Sequence, residues 1–394
     1  MENGWNKVKI GDVALPLERS EIPVAGTVYR QIGVRLWGQG AYERESIDGS
    51  QTKYSTLSRV VSGDIIVNKI WARNGSVAVV TDRLTGCYGS GEFPTFVPDR
   101  LKLEPKWFHW ITKTKWFWQA CDEKSQGTSG KNRIRPEIFL DIEIPLPPLE
   151  EQHRIVGRIE ALAGRVSEAQ KLRREAVKEA EVILAAKLIN IRHYLQSSDN
   201  SKRKIGDIAT VTSGGTPSRD NLSYWNGNIP WIKTGELLDG DIFDTEEYIT
   251  QQGMENSSAK LFPPGTILIA LYGQGQTRGR TGHLMIKTTT NQACCAILPT
   301  LNILEPRFTQ YWMRSLYYEL REKSHGGAQP NWNGAMIKNI EITLPSLDEQ
   351  YRIVAYLDGL LAQVDALRQL QAETQKELDA LMPSILDRAF KGEL

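Results

Sequence analysis

The sequence predicts an α+β chain: two mixed α/β globular domains separated by two long helices that pair antiparallel as a coiled coil, the halves related by a pseudo-two-fold internal repeat. Three observations carry that expectation. Ile142–Leu162 (IEIPLPPLEEQHRIVGRIEAL) and Ile340–Leu360 (IEITLPSLDEQYRIVAYLDGL) agree at 12 of 21 positions without a gap, at an offset of 198 residues. Shorter echoes lie at nearly the same offset: KIGDVA from Lys9 and KIGDIA from Lys204, SGDIIV from Ser62 and PGTILI from Pro264, LEPKW from Leu103 and LEPRF from Leu304. Both copies then end in the same apolar stripe at helical spacing. A fixed-offset repeat means one structural unit made twice. The expected boundaries are a first domain at 1–147, a central helix at 148–197, a second domain at 198–345 and a C-terminal helix at 346–394.

The elements follow in chain order. In the first domain Arg59–Val67 and Ser76–Val80 read as strands from their β-branched content and Gly or Ser boundaries. Lys106–Lys124 reads as a helix launched by Glu104-Pro105, since proline suits a first helical turn. The central helix begins after Ile144-Pro145-Leu146-Pro147-Pro148, with Glu150 and Glu151 at the positive end of its dipole, and runs to about Tyr194. The polar SSDNS (Ser197–Ser201) is a linker. In the second domain Thr266–Leu271 and Cys294–Leu298 read as strands and Arg307–Lys323 as a helix. The C-terminal helix begins after Leu344-Pro345-Ser346, carries Asp348 and Glu349 in its first turn, and reaches Phe390 with an expected kink at Pro383. At 1.5 Å per residue each rod is about 65–70 Å long.

The stripes are Ile155, Ile159, Leu162, Val166, Ala169, Leu172, Ala176, Ala180, Ile183 and, 198 further on, Ile353, Leu357, Leu360, Val364, Leu367, Leu370, Thr374, Leu378, Leu381. Their mean step is about 3.5 residues, the coiled-coil period, with a shared phase slip of two successive three-residue steps. Two helices with one unusual seam are most simply packed on each other; packing of each stripe on its own globular domain is the alternative.

Composition limits the function. Lys plus Arg is 48 against 47 for Asp plus Glu, so charge alone does not make this a nucleic-acid coat. Four cysteines without a CxxC pair argue against a disulfide scaffold or a cysteine zinc site and fit a reducing compartment. No apolar run reaches the ~18 residues of a membrane span, and Met1–Ile10 is polar, so a soluble, cytoplasmic protein is expected. Catalytic equipment is not found: there is no phosphate-binding GxxxxGK[ST] loop, no dinucleotide glycine spacing, no metal-ligand histidine spacing and no N/D-P-P-Y/F run. Pro98-Asp99 with Glu104-Pro105-Lys106 imitates a nuclease carboxylate pair plus lysine, but Pro105 spoils the paired strand such a site needs.

The sequence does hold loops suited to nucleic acid. Segment charges are +3 for 1–147, +1 for 148–200, +1 for 201–345 and −4 for 346–394. Lys69-Ile70-Trp71-Ala72-Arg73-Asn74-Gly75 and Gln274–Arg280 each follow a strand, and the closing loops add Lys131, Asn132, Arg133 and Arg135, or Gln329, Asn331 and Asn333. Glycine lets backbone approach a phosphate, while Arg, Asn and Gln can bond base edges in pairs. A solvated turn explains any one loop as well; the recurrence of two loops in two copies favours binding.

LPPLEEQHRIV (Leu146–Val156) and LPSLDEQYRIV (Leu344–Val354), each following an α/β domain and opening a long helix, resemble the specificity subunits of type I restriction–modification systems. TSGGTPSRDNLSYWNGNIPWIKTGEL (Thr212–Leu237), YGQGQTRGRTG (Tyr272–Gly282), TTNQACCAI (Thr289–Ile297) and ILDRAFKGEL (Ile385–Leu394) are similar to stretches of that family, whereas Pro16–Tyr54 departs from it. The resemblance implies a non-catalytic chain whose two target recognition domains each read half of a bipartite double-stranded DNA site. Its helix pair would set the spacing and dock two DNA adenine methyltransferase subunits, with motor–nuclease subunits as further partners. It implies no cofactor in this chain: S-adenosylmethionine, ATP and Mg would sit on the partners. The expected DNA contacts are Lys69, Arg73, Lys131, Asn132 and Arg133 in the first domain, and Thr216, Lys233, Gln274, Arg278, Arg280 and Asn331 in the second. A regulator reading a bipartite operator, or a coiled-coil scaffold with two ligand-binding domains, stays open as an alternative.

Overall fold

The computed structural model describes residues 5–16, 19–125, 133–273, 277–322 and 332–394. It divides into two compact units, and the division cuts both long helices: one unit is 1–172 with 372–394, the other 173–371.

In the first unit, Val77–Val79, Ile65–Val67, Thr95–Pro98 and Ala14–Pro16 form an antiparallel sheet in that order. The single strand expected over Arg59–Val67 is two, Leu57–Arg59 and Ile65–Val67, in different sheets. Gly63 breaks it: its φ of +90° suits glycine, and its N–H donates to the Val80 carbonyl at 2.9 Å. The helix expected over Lys106–Lys124 is likewise two, Pro105–Ile111 and Lys115–Glu123. Between them the Thr112 and Thr114 hydroxyls donate back to the His109 and Ile111 carbonyls at 2.7 and 2.8 Å, competing with the helical ladder. The core gathers Phe96, Trp107, Phe108, Phe117 and Phe139, and the C-terminal helix contributes Leu386, Ala389 and Phe390 to it. Phe390 sets its ring edge-on to Trp107 at 4.9 Å.

In the second unit a five-stranded sheet runs Ala209–Ser213, Cys294–Pro299, Ile267–Ala270, Thr281–Leu284, Asp241–Ile242, with only the last pair parallel. The Pro306–Glu322 helix brings Phe308 and Trp312 to a core of Ile267, Ile269 and Ile297. A smaller sheet pairs Glu247–Ile249, Trp225–Ile232 and Thr289–Thr290.

Each unit closes on a two-stranded clasp, Lys7–Lys9 with Glu143–Pro145 and Ser201–Lys204 with Glu341–Leu344. The clasp feeds a long helix, Leu149–Ser197 or Leu347–Phe390. The shared EQ of the repeat has a physical reason here. Gln152, fully buried, accepts from Glu104 N–H at 2.9 Å and donates to the Lys102 and Pro147 carbonyls at 2.8 Å each. Gln350, also fully buried, accepts from Glu305 N–H at 2.9 Å and donates to the Ile303 and Pro345 carbonyls at 3.0 and 3.1 Å. One amide thus ties the start of each long helix to the Glu-Pro turn that starts its neighbour.

Within each unit the helix segments lie antiparallel. Ile155 and Ile159 share a core with Leu386 and Phe390 in the first. In the second, Leu188 packs with Leu357, Arg368 reaches Glu181 at 2.5 Å, and Gln371 Nε2 donates to the Arg173 carbonyl at 3.0 Å. The buried stripe departs from the expected seam at matching places. Leu172 and Ile183 are 55% and 57% exposed, whereas Leu184 and Leu188 are each 6% exposed. Leu370 and Leu381 are exposed in the same way, with Gln371 and Met382 turned inward instead. Four-residue steps replace the slip, which brings the stripe close to the 3.6-residue turn of a straight helix. Pro383 lies inside the C-terminal helix, which continues to Phe390.

Candidate nucleic-acid interface

In the first unit the chain leaves the Ile65–Val67 strand into a turn that its own polar groups fix. Asn68 Oδ1 accepts from the Ile70 and Trp71 N–H groups at 3.1 and 3.3 Å, and its carbonyl accepts from Ala72 N–H at 2.8 Å. A short 3-10 turn, Ala72–Asn74, ends at Gly75 with φ +70°. There a Cβ would also meet the Trp118 indole at 2.7 Å, so the position demands glycine twice over. Neighbouring loops brace the turn: Trp37 and Gly38 N–H groups donate to the Asn74 and Gly75 carbonyls at 2.7 and 3.0 Å.

This scaffold brings three of the expected contacts into one neighbourhood. Lys69 N–H donates to the Glu92 carbonyl at 3.0 Å, the Lys69 carbonyl accepts from Ile134 N–H at 3.0 Å, and the Arg133 guanidinium donates to Glu92 Oε1 at 3.1 Å. Arg73 stands on the 3-10 turn that follows Lys69. The side chains of Lys69 and Arg73 make no ion pair among the described residues, so their charge is available to a ligand. Arg133 is partly committed to Glu92. Lys131 and Asn132 lie outside the described residues.

The second unit disperses its candidates. The Thr216 hydroxyl donates to Gln292 Oε1 on the outer surface. Gly214 and Gly215 before it pack so close to Thr290 and Ser258 that a Cβ would lie 2.2 and 2.3 Å from them. Lys233 is paired with Glu247 and Glu246 at 2.8 and 3.1 Å, and these hydrogen bonds, Glu247's first, raise its pKa. Glu247 also takes Arg219 at 2.5 Å, which holds its carboxyl below the usual range. Arg219 lies 3.6 Å over the Trp225 ring and 5.0 Å from that of Trp231, a cation–aromatic cluster that the sequence reading did not single out. Arg280 lines a cleft of 540 Å³ with Arg314, Asp239, Asp365 and Arg368, facing the long-helix segments of its own unit. Arg278 is half-buried in the turn before it, where Gly279 (φ +84°) donates to the Ala270 carbonyl at 2.9 Å. Gln274 and Asn331 lie outside the described residues.

All four cysteines are buried and unreactive, burial pushing the Cys295 thiol up to about 12. Among the described residues no cluster of His, Cys, Asp and Glu could hold a metal ion, and no helix is long and apolar enough to cross a membrane. What the surfaces offer is hydrogen bonding and positive charge.

Comparison with known proteins follows the same two-part division. The family model for the type I restriction modification DNA specificity domain matches residues 2–178 and again 197–376. The specificity subunit of the MjaIX type I restriction enzyme of Methanocaldococcus jannaschii is 32% identical over 200 residues, 48% of this chain and 42% of that relative, so this match spans under half of the relative's length. The EcoR124I/EcoR124II specificity subunit of Escherichia coli is 22% identical over 372 residues, 83% of this chain and 90% of the relative. A chain in a solved structure described as the basis of complex assembly and conformational transition of the type I R-M system has a TM-score of 0.75. It is 26% identical, with 99% of this chain and 98% of that one covered.

Proposed function

Given that the chain belongs to the type I restriction modification DNA specificity family, as its two matched segments show, we propose that its two units read the two halves of one bipartite double-stranded DNA site. It is a specificity subunit and not itself an enzyme. The target recognition domains are residues 1–147 and 198–345; the helices of 148–197 and 346–394 set the spacing between half-sites and dock two adenine methyltransferase subunits. Motor–nuclease subunits join that assembly as further partners. S-adenosylmethionine, ATP and Mg belong to those partners, and the cytoplasm is the compartment that fits them.

One observation carries the reading: a single domain plan occurs twice, each time clasped to a long helix through a buried glutamine with the same three hydrogen bonds. Two like readers favour half-sites about one DNA turn apart, ~34–36 Å. Lys69, Arg73, Lys131, Asn132 and Arg133 are the contacts of the first domain, and Thr216, Lys233, Gln274, Arg278, Arg280 and Asn331 those of the second. Lys233 then exchanges its two carboxylates for phosphate.

Methylome sequencing tests this. A host given this chain with its methyltransferase partners gains N6-methyladenine at one bipartite motif, and the same host given the partners alone does not. Methylation that is identical in both hosts refutes the reading.

A further inference from the structure

The turn that carries Lys69 and Arg73 also carries Trp71, which is 45% exposed. A large indole left half in water forgoes part of the transfer free energy that full burial would give, and here it stands on the same turn as two cations. Flexibility does not explain it. Trp71 N–H is held by Asn68, and its carbonyl accepts from Asn74 and Ser76 N–H groups at 2.9 and 3.2 Å. Ala72 beside it is fully buried, and the Ser76 hydroxyl anchors the far end of the turn to the Val34 carbonyl at 2.8 Å. The ring itself touches no other aromatic ring among the described residues. The fold therefore presents a half-exposed aromatic on a fixed turn, flanked in sequence by two cations whose side chains make no ion pair among the described residues.

Resting on the DNA-reading function above, we propose that Trp71 is an aromatic wedge of the first domain: its indole inserts against the face of a base at one step of the bound duplex, while Lys69 and Arg73 hold the flanking phosphates. Charge complementarity selects this occupant. An apolar protein partner would leave both cations desolvated without counter-charge, whereas a base between phosphates satisfies all three residues. Apolar side chains placed between base steps unstack them and bend the duplex. Readout at this step then depends on how easily the step deforms, and pyrimidine–purine steps open most readily.

The test uses the full chain and a random-sequence duplex library at low salt, from which the wild-type chain enriches a duplex. Trp71→Ala binds that duplex roughly 5- to 150-fold more weakly, the range seen when a base-stacking aromatic is removed, with an unchanged salt slope. Trp71→Phe stays within a few-fold of wild type, and Arg73→Gln lowers the salt slope by about one. 2-Aminopurine at the affected step brightens with wild type and not with Trp71→Ala. Unfolding curves of the Trp71 variants that match wild type show that the fold is kept. Trp71→Ala binding like wild type, or losing affinity without any change at the aminopurine, overturns the wedge alone. A wild-type chain that enriches no duplex overturns the DNA-reading function and the wedge with it.

Discussion

Gln152 and Gln350 show how one side chain can decide a junction. Each is buried with every amide partner supplied by backbone, so truncation strands one N–H and two carbonyls. An unsatisfied buried group costs about 1–3 kcal/mol. Gln350→Ala is therefore expected to lower the urea midpoint of the second unit, and Gln152→Ala that of the first, each leaving the other unit's transition in place; denaturation followed by circular dichroism checks it. The repeated EQ is visible in the sequence, but its job is not, because two of the three partners of each glutamine sit 45–50 residues earlier in the chain. Trp71 lies within a loop that the sequence offers to nucleic acid, but only its exposure in the structure singles it out. Lys233 is an expected DNA contact in the sequence, where nothing local announces Glu246 and Glu247 as its partners.

Among the elements, the long helices are legible nearly to their ends, their starts from proline and acidic residues and the start of each Glu-Pro helix from its proline; the clasps are not, because their strands pair across more than 130 residues. Nor are the breaks. Thr112 and Thr114 split one expected helix through hydroxyl back-bonds, and Gly63 split one expected strand; neither changes the hydrophobic pattern much. The seam is off by one residue at its middle and again at its far end; at the far end of the first stripe Ile183 and Leu184 are equally apolar, and composition does not say which faces inward. This difference is measurable. Leu188→Ala, in the observed stripe, is expected to cost about 2–5 kcal/mol, whereas Ile183→Ala, on the exposed side, stays within about 0.5 kcal/mol. Thermal unfolding of the two variants distinguishes the stripes, and equal losses would restore the original seam.

For the whole molecule, near-neutral charge sets the expectation for binding. With a net charge of +1, few phosphates are neutralised and affinity depends on the specific loops more than on attraction at a distance. If the helices set the spacing between half-sites, then length is information. Four residues inserted into each helix at its exposed mid-section add about 6 Å, on the order of two base pairs at 3.4 Å each. The methylated motif of such a variant is expected to keep both half-sites and widen its spacer by one or two base pairs, as methylome sequencing reads directly. An unaltered spacer would assign the ruler elsewhere.

The packing of Leu386, Ala389 and Phe390 beneath Trp107 has a consequence for heredity. A stop codon introduced shortly before 386 would spare every residue of the second domain yet uncover the interior of the first, so damage far along the chain would be felt in the earlier domain. By the same token, recombination that exchanges the first reader for another must bring both tracts, 1–172 and 372–394, or supply a tail whose leucine and phenylalanine fit the newcomer. A short, well-preserved ending would let many different front halves share one back.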